Sequence, residues 1–357
     1  MDNRDVDSML SRNEIPIVDI AHMGPVTTPI RPWLQKAADQ LNKSLSNKGL
    51  VFIVNHGITE EKLQAVYSTM DKFCSLPDEH KSLYSLNPPD DNQGYIPPNC
   101  RLNIETKQKE ARHSYSIQNF ARKIPEQELP GFQEIVSTLA YEFCRLARLI
   151  LQIVAVGLDL NPNIFLNAHL KMLKEDNSTT FRMIYYPPLG QNIEPGVTRC
   201  REQTDYGTFT LFAQDSEGGL EVQRSGGMWC KVGHLPGAIL VNTGDLLEQW
   251  TSGKYLALKH RVTVPEHYKT RTRARHSIAF FVHPDDSTVI DPLTFIKSKP
   301  VLEMELPKHH LALVTTYHHW QRRLKKSRFI KLLQRLRQHI YNRGSIEATN
   351  PELLKEN

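Results

Sequence analysis

Hydrophobic positions in the first half of the chain recur mostly at helical intervals. Residues 32–47 predict a helix with one buried face, and a further helix is predicted over residues 60–73. The strongest helical pattern runs over residues 135–156, where apolar side chains recur at every third or fourth position up to Gly157. This pattern predicts a core-facing helix of about six turns, which would be the spine on which a sheet packs.

Short β-type runs account for most of the remaining apolar positions. Two of them, residues 15–20 and 49–54, lie in the N-terminal half, whereas the proline-rich stretch 87–99 is predicted to be a loop. After Thr179 such runs follow one another between glycine turns, over residues 183–186, 209–213, 220–223, 228–232, 238–241, 256–264 and 276–282. Strands at this short spacing are typical of a double-sheet jelly roll. The chain is therefore predicted to be one α+β unit, a jelly-roll (double-stranded β-helix) core with flanking helices and the long spine helix.

Composition narrows the class of protein without identifying a function. The 357 residues include 39% hydrophobic and 23% charged side chains, which is typical of a soluble folded protein. The longest apolar stretch, residues 149–158, is interrupted by Gln152 and is too short to span a bilayer. The polar N-terminus shows no secretion signal, and the five cysteines lie far apart without paired spacing. These features predict a cytoplasmic protein with free thiols.

Positive charge is concentrated near the C-terminus. Residues 320–343 contain nine basic and no acidic side chains, although the net charge of the whole chain is only +5. Apolar residues recur at helical intervals within this stretch, which predicts a basic amphipathic helix. Its basic face is either solvated on a docked helix or a surface for an acidic partner. No nucleic-acid-binding motif accompanies the helix, which argues against nucleic acid as that partner.

Three polar motifs interrupt the predicted strands of the second half. They are Gln203-Thr204-Asp205, His260-Arg261-Val262 and Arg275-His276-Ser277. Polar side chains that face the inside of a sheet are costly unless they bind something. Because the lengths between the motifs are ones that a jelly roll can close, they indicate a single ligand site.

In these motifs the sequence resembles the isopenicillin N synthase-like superfamily of non-haem iron, 2-oxoglutarate-dependent dioxygenases. Members of that superfamily carry H-x-D, a distal H and then R-x-S. The resemblance covers most of the chain and includes residues 15–19, 49–58, 182–188, 204–207, 218–222, 242–245 and 277–281. It implies Fe(II) as the metal, 2-oxoglutarate and O₂ as cosubstrates, and hydroxylation or a related oxidation of a small organic molecule.

The resemblance also implies roles for individual residues. Asp205 and His260 match two ligands of a facial triad, in which two imidazoles and one carboxylate hold Fe(II) and leave open positions. Arg275 matches the arginine of R-x-S, whose planar fork suits the distal carboxylate of 2-oxoglutarate. Ser277 and Tyr186 match further contacts to that carboxylate. Taken alone, Asp205 would be a turn residue, His260 a core histidine, and Arg275 the partner of an internal acidic residue.

One position departs from the family pattern, because Gln203 stands where the family has its first histidine. Glutamine offers a neutral amide oxygen, and losing even an outer partner of a metal ligand lowers affinity or activity ~10–100-fold. Three explanations remain open. In the first, the chain binds iron weakly through Gln203, Asp205 and His260 and retains some turnover. In the second, it is a 2-oxoglutarate-binding or regulatory module that has lost oxidation. In the third, Gln203 is an altered residue, since the codons for His and Gln differ by one base. Rescue by Cys200 or Glu202 is disfavoured, since strand alternation turns Glu202 away from Gln203.

The resemblance implies four regions along the chain. They are an N-terminal dioxygenase-type region (14–130), the spine helix and its connection (131–177), the Fe(II)/2-oxoglutarate jelly-roll core (178–285), and a C-terminal segment with the basic helix (286–357). The substrate is not encoded in the motifs. By position alone, Arg112, His113 and Phe281 are candidates for the substrate pocket, although Arg112 and His113 equally fit surface or strand-capping roles.

Overall fold

The fold was analysed in a computed structural model, which describes residues 9–10, 15–23, 31–86, 93–98, 109–190, 192–193, 196–224, 226–267, 271–292 and 314–316. The basic helix predicted over residues 320–343 lies outside the described residues.

Six helices occur in this part of the chain. They are α1 (Arg31–Lys48), α2 (Glu60–Cys74), α3 (Asp78–Ser82), α4 (Phe132–Gly157), α5 (Asn163–Asn167) and α6 (Asp245–Trp250). The helices predicted over residues 32–47, 60–73 and 135–156 correspond to α1, α2 and α4. No helix among the described residues is long and apolar enough to cross a membrane.

The 26-residue helix α4 begins and ends at identifiable residues. At its start, the Glu126 carboxylate accepts the backbone N–H groups of Gly131 and Gln133 at 2.8 and 2.7 Å, which satisfies donors that have no partner within the helix. At its end, Gly157 lets α1 approach closely, since a Cβ there would lie 3.0 Å from the carbonyl oxygen of Ala38. The central apolar face of α4 is almost completely buried.

Two sheets carry most of the strands. The strands are β1 (Met9–Leu10), β2 (Ile17–Asp19), β3 (Leu50–Val54), β4 (Gly94–Ile96), β5 (Lys109–Glu110), β6 (His113–Ile117), β7 (Thr180–Tyr186), β8 (Val197–Thr198), β9 (Cys200–Gln203), β10 (Phe209–Gln214), β11 (Leu220–Gln223), β12 (Trp229–Val232), β13 (Ala238–Thr243), β14 (His260–Val262), β15 (Arg275–Val282), β16 (Val289–Ile290) and β17 (Val314–Thr315). The large sheet has the order β2-β3-β13-β10-β15-β7-β6-β4, and the small sheet has the order β1-β12-β11-β14-β9. β16 pairs with β17, and β5 pairs with β8.

The large sheet separates two apolar cores. On one face, alternate residues of its strands pack against α1, α2 and α4 in the larger core. On the other face, β3, β7, β13 and β15 pack against β9, β11, β12 and β14 of the small sheet. The order of layers is therefore helices, large sheet and small sheet, with the predicted α+β class and two facing sheets. The space between the sheets is where the predicted site residues meet.

Three stretches differ from the sequence expectation. Within the predicted loop 87–99, Gly94–Ile96 is strand β4. Position 94 requires glycine, because its φ is +130° and a Cβ there would lie 2.6 Å from the carbonyl oxygen of Tyr84. The run predicted over residues 256–264 is reduced to β14, since Leu256 is exposed and only its last part pairs. The short helix α6 was not predicted, because six residues carry too little periodic signal.

Phe143 of α4 packs between the helix layer and the large sheet. Its buried ring lies 5.8 Å from Phe181 of β7 and 6.0 Å from Phe280 of β15, measured between ring centroids. We predict that Phe143→Ala lowers the free energy of unfolding by about 3–5 kcal/mol, because it leaves a cavity between three elements. Denaturant unfolding measures this loss. The control Tyr141→Ala, at a half-exposed position of the same helix, should cost less than about 1 kcal/mol, and equal losses would contradict the predicted attachment.

Candidate functional site

A cavity that opens to solvent lies between the two sheets. Its wall is mostly apolar and includes Ile184, Phe212, Leu220, Val222, Leu240, Leu258, Val262, Ala279 and Phe281. Its polar wall residues are Arg112, Arg182, Tyr186, Gln203, Asp205, Thr210, Asn242 and His260. An apolar cavity with a few convergent polar groups is the usual form of a small-molecule site.

The pairing of β9 with β14 places Gln203 beside His260. The two residues are direct partners in this antiparallel pair, so their side chains leave the sheet on the same face. Because side chains alternate between the two faces along β9, Glu202 points outward, where it forms an ion pair with Lys259 at 2.9 Å. Gln203 therefore occupies the wall position next to His260, and Glu202 does not.

Asp205 is held in the cavity wall by two hydrogen bonds to one oxygen. Its Oδ2 accepts the Thr210 hydroxyl at 2.6 Å and the Asn242 amide at 2.9 Å. Both donors come from the large sheet, whereas Asp205 follows β9 of the small sheet. Asp205 is only 5% exposed, so its charge is buried. Its second oxygen, Oδ1, is still available to a ligand.

The ring of His260 faces that oxygen. Its Nδ1 lies 3.0 Å from the Leu258 carbonyl oxygen, and since a carbonyl can only accept, Nδ1 is the donor in this hydrogen bond. Its Nε2 lies 3.6 Å from Asp205 Oδ1. A histidine that donates its other N–H to a carbonyl is typical of a metal ligand. Among the described residues, no group of three His, Cys, Asp or Glu side chains could hold a metal ion.

The motif Arg275-His276-Ser277 begins β15, deeper between the sheets. Strand alternation puts Arg275 and Ser277 on the same face as the wall residues Ala279 and Phe281. Neither Arg275 nor Ser277 forms part of the cavity wall itself. The wall residue in front of them is Tyr186, whose ring centroid lies 4.6 Å from the Arg275 guanidinium carbon. The three predicted cosubstrate residues thus form one cluster.

Arg275 is completely buried and bonded only to neutral acceptors. Its Nε donates to the Gly218 carbonyl at 2.6 Å, and its terminal nitrogens donate to Gln214 Oε1 at 2.8 Å and to Ser277 Oγ at 3.4 Å. No carboxylate among the described residues forms an ion pair with it, so the alternative of an internal acidic partner is not realised there. A buried cation without a counter-charge marks a position for an anion.

The predicted substrate-pocket residues divide between the two faces of the large sheet. Arg112 and Phe281 line the cavity, and Arg112 is held by the buried Glu110 carboxylate at 2.9 Å. His113 must be corrected, because it pairs with Tyr185 rather than with the wall residue Ile184, and alternation therefore turns it to the helix side. There its Nδ1 lies 2.7 Å from the Tyr95 hydroxyl, and burial lowers the pKa of His113 to about 4.

Sequence reasoning did not assign Asn242, Thr210 or Arg182 to the site. Asn242 and Arg182 lie within stretches that resemble the family, and their wall positions follow from the strand register, since Asn242 pairs with Thr210. Arg182 lies in β7 four residues before Tyr186 and therefore on the same face. Its guanidinium lies 4.9 Å from the Phe281 ring centroid. Strand alternation within β7 was the signal that could have identified it.

His276 faces the helix side and connects β15 to α2. Its Nε2 lies 2.7 Å from Asp71 Oδ1 of α2, and its Nδ1 lies 3.3 Å from Asp215 Oδ2. Tyr67 of α2 and Tyr185 of β7 flank the ring. Burial by itself lowers the pKa of His276, but the hydrogen bonds to Asp215 and Asp71 outweigh burial and raise it above the usual 6.5.

We predict that this link stabilises the fold most at mildly acidic pH. Because the folded-state pKa lies above the unfolded-state pKa, the contribution is complete below about pH 6.5 and is lost as the pH rises through the raised pKa. His276→Gln should therefore lower the free energy of unfolding by of order 1 kcal/mol more at about pH 6 than at about pH 9. Denaturant unfolding at the two pH values measures the difference. A pH-independent effect of His276→Gln would contradict the charged link.

Comparisons with known proteins identify the family. The model of the 2OG-Fe(II) oxygenase superfamily matches residues 177–284, and the model of the non-haem dioxygenase N-terminal region, described for morphine synthesis, matches residues 15–130. A 2-oxoglutarate-Fe(II) type oxidoreductase, ppzD of Metarhizium rileyi, is 30% identical over 295 residues, which are 76% of this chain and 80% of that protein. The chain therefore belongs to the 2OG-Fe(II) oxygenase superfamily, whose members bind Fe(II) and 2-oxoglutarate.

Solved structures agree with this assignment. A full-length Neurospora crassa protein crystallised with alpha-KG (2-oxoglutarate) is 25% identical, with a TM-score of 0.75 over 87% of this chain and 96% of that one. The rice dioxygenase for auxin oxidation shares the fold, with 21% identity and a TM-score of 0.64 over 88% of this chain and 96% of that one. The two facing sheets are accordingly the jelly roll of this superfamily.

Proposed function

We propose that this protein is an Fe(II)/2-oxoglutarate-dependent dioxygenase that oxidises a small organic molecule and has a weakened metal site. The observation that carries the proposal is the register of β9 and β14, which sets Gln203 beside His260 where the family pattern has a histidine. The cavity wall contains Asp205 and His260, and the buried Arg275 lies against the wall residue Tyr186. The proposal thus attributes the weakness to one ligand.

The donor set fits a divalent cation, with lower affinity than a complete facial triad. Asp205 Oδ1 and His260 Nε2 converge at 3.6 Å, a separation too long for a good hydrogen bond between them. Their outer partners, Thr210, Asn242 and the Leu258 carbonyl, orient both groups toward the same space. The amide oxygen of Gln203 would supply a third, neutral ligand. Asp205 and His260 would therefore hold the iron, and Gln203 would complete the site weakly.

In the proposed reaction, bound iron would supply O₂ activation coupled to the oxidative decarboxylation of 2-oxoglutarate to succinate and CO₂. The chain's own residues would bind and orient. Arg275 and Ser277 would hold the distal carboxylate with Tyr186, and the apolar wall formed by Phe212, Leu240 and others would exclude water from the reacting groups. The fully buried Arg275 supports this role because its present acceptors are all neutral.

The cavity supports a small substrate with aromatic or anionic character. Phe281 and Phe212 offer apolar rings, and Arg112 and Arg182 bring two guanidinium groups to the wall. Although burial alone disfavours the charged form, the neighbouring Cys200 and Glu110 raise the pKa of Arg112 above its usual range, so it stays charged. The relatives named above include a dioxygenase for auxin oxidation, which also acts on a small molecule.

A second function has a specific observation in its favour. The described residues offer no three-member His, Cys, Asp or Glu metal site, whereas the fully buried Arg275 supports binding of the distal carboxylate of 2-oxoglutarate. A protein in this condition could serve as a 2-oxoglutarate-binding or regulatory module without oxidation. Turnover distinguishes the two functions, because only the enzyme releases succinate coupled to O₂ uptake.

Restoring the histidine is the most direct test of the weakened site. We predict that Gln203→His raises Fe(II) affinity at least ~10-fold, because it replaces an amide oxygen by an imidazole nitrogen. Anaerobic titration with Fe(II) measures the affinity, and the visible charge-transfer band formed with 2-oxoglutarate should become stronger. Glu202→His is the matched control, because it adds an imidazole one residue away on the outward face, and it should leave the affinity unchanged.

The outcomes separate the proposals. Succinate release by the unmodified protein would favour the enzyme, and tight 2-oxoglutarate binding without turnover would favour the module. An equal gain from Gln203→His and Glu202→His would show that residue 203 is not at the metal. If neither the unmodified protein nor Gln203→His binds 2-oxoglutarate in a metal-dependent manner, the cosubstrate assignment is wrong.

Arg275 offers an independent test at the other end of the cavity. We predict that Arg275→Gln weakens 2-oxoglutarate binding by about 10–100-fold, since a charge-assisted hydrogen bond contributes about 1.5–3 kcal/mol. Calorimetric titration under anaerobic conditions with Fe(II) measures the affinity. The control Arg273→Gln removes a guanidinium that is 62% exposed two residues earlier, and it should bind as the unmodified protein does. Unchanged binding by a folded Arg275→Gln variant would remove Arg275 from the site.

A further inference from the structure

A second arginine close to Arg275 is buried without adequate partners. Arg199 is 0% exposed, yet its Nε and Nη1 have no hydrogen-bond partner. Its Nη2 donates only to the Arg273 carbonyl oxygen, at a long 3.4 Å. Leaving buried donors of a charged group unpaired is among the more expensive arrangements in a protein.

Arg199 shares an aromatic ring with Arg275. The guanidinium carbons of Arg199 and Arg275 lie 5.9 and 4.6 Å from the ring centroid of Tyr186. Tyr186 itself forms part of the cavity wall. Two buried cations therefore approach the same wall residue, one from β15 and the other from the turn between β8 and β9.

Neighbouring carboxylates do not compensate for this pair of cations. Asp215 and Glu217 act on Arg199 from a distance, but Asp215 accepts from His276 and the Glu217 backbone, and Glu217 pairs with Arg273 at 3.0 Å. Within the described residues, neither forms an ion pair with Arg199. Burial first, and then repulsion by Arg275, lower the pKa of Arg199. The region around Tyr186 therefore has a surplus of buried positive charge.

We propose that Arg199 is a second positioning residue for the distal carboxylate of 2-oxoglutarate and acts together with Arg275 and Tyr186. This inference rests on the proposed function, because it assigns a further residue to the same cosubstrate. In this proposal, an anion that enters next to Tyr186 would supply the unpaired donors of Arg199 with an acceptor. The arrangement would make binding depend on the second negative charge of the keto acid, since each guanidinium is most stable with a carboxylate nearby.

Two keto acids of the same chain length test the inference. 2-Oxoglutarate carries the distal carboxylate and 2-oxopentanoate does not, so a residue at that carboxylate affects only the first. We expect Arg199→Gln to weaken 2-oxoglutarate binding about tenfold or more in anaerobic titrations with Fe(II), and to leave 2-oxopentanoate binding unchanged. Arg199→Lys, which keeps the charge but loses the planar fork, should bind 2-oxoglutarate with intermediate affinity. Arg273→Gln, which removes the neighbouring exposed guanidinium, should match the unmodified protein.

Each result decides the role of Arg199. Equal weakening of both keto acids would show a structural role and would overturn the inference, as would unchanged binding of 2-oxoglutarate by Arg199→Gln. If Arg199→Gln does not fold, the comparison of the two keto acids on Arg199→Lys decides in the same way. The proposed function fails separately, if the unmodified protein binds no 2-oxoglutarate at all or if Arg275→Gln binds as well as the unmodified protein.

Discussion

Burial of charge is the constraint on which the space between the two sheets depends. Asp205 is a nearly inaccessible carboxylate at one place in this space, and Arg275 is a completely inaccessible guanidinium at another. Within the part of the chain that the structure describes, neither has an ion-pair partner at hydrogen-bond distance, since His260 Nε2 stands 3.6 Å from Asp205 Oδ1 and Arg275 donates only to neutral acceptors. Isolated charges are unfavourable in an apolar interior. Under the proposed function, a cation beside Asp205 and an anion beside Arg275 would compensate these charges.

The backbone around Gln203 does not depend on which side chain this position carries. The partnership of Gln203 with His260 comes from main-chain pairing between β9 and β14, and a glutamine pairs as well as a histidine does. The partners of Asp205 and His260 are likewise in place, from Thr210 and Asn242 in the large sheet and from Leu258 in the chain before β14. Under the proposed function, a single side-chain change would alter the ligand chemistry and leave this surrounding geometry in place. This separation explains why restoring one residue is a meaningful experiment here.

Strong periodicity and the ordered motifs made much of this architecture predictable. The helices α1, α2 and α4 and most strands of the two sheets follow from patterns long enough to distinguish the helical from the β period, and the β-rich second half indicated a jelly roll. Short elements escaped, since Gly94–Ile96 becomes a strand only through pairing with β6, and α6 is six residues long. At the site, the motifs predicted Asp205 and His260, which line the cavity, and Arg275, which lies against the wall residue Tyr186. Whether His113 and Arg182 face the cavity depends on strand register, because register decides from which face of the sheet a side chain projects. Motif spacing does not specify that register.

The two ends of the cavity should respond differently to loss of a ligand. At the metal end, affinity depends on few donors, so replacing an imidazole by an amide oxygen removes a large fraction of the binding free energy at once. At the other end, our proposals have Arg275, Ser277, Tyr186 and Arg199 acting on one carboxylate, so no single residue would carry all of the affinity. Chelation of a keto acid needs the metal, whereas electrostatic attraction of a dianion does not. A chain with this site would lose turnover before it loses binding of its cosubstrate. The ratio of turnover to cosubstrate binding then distinguishes a slow oxygenase from a binding module.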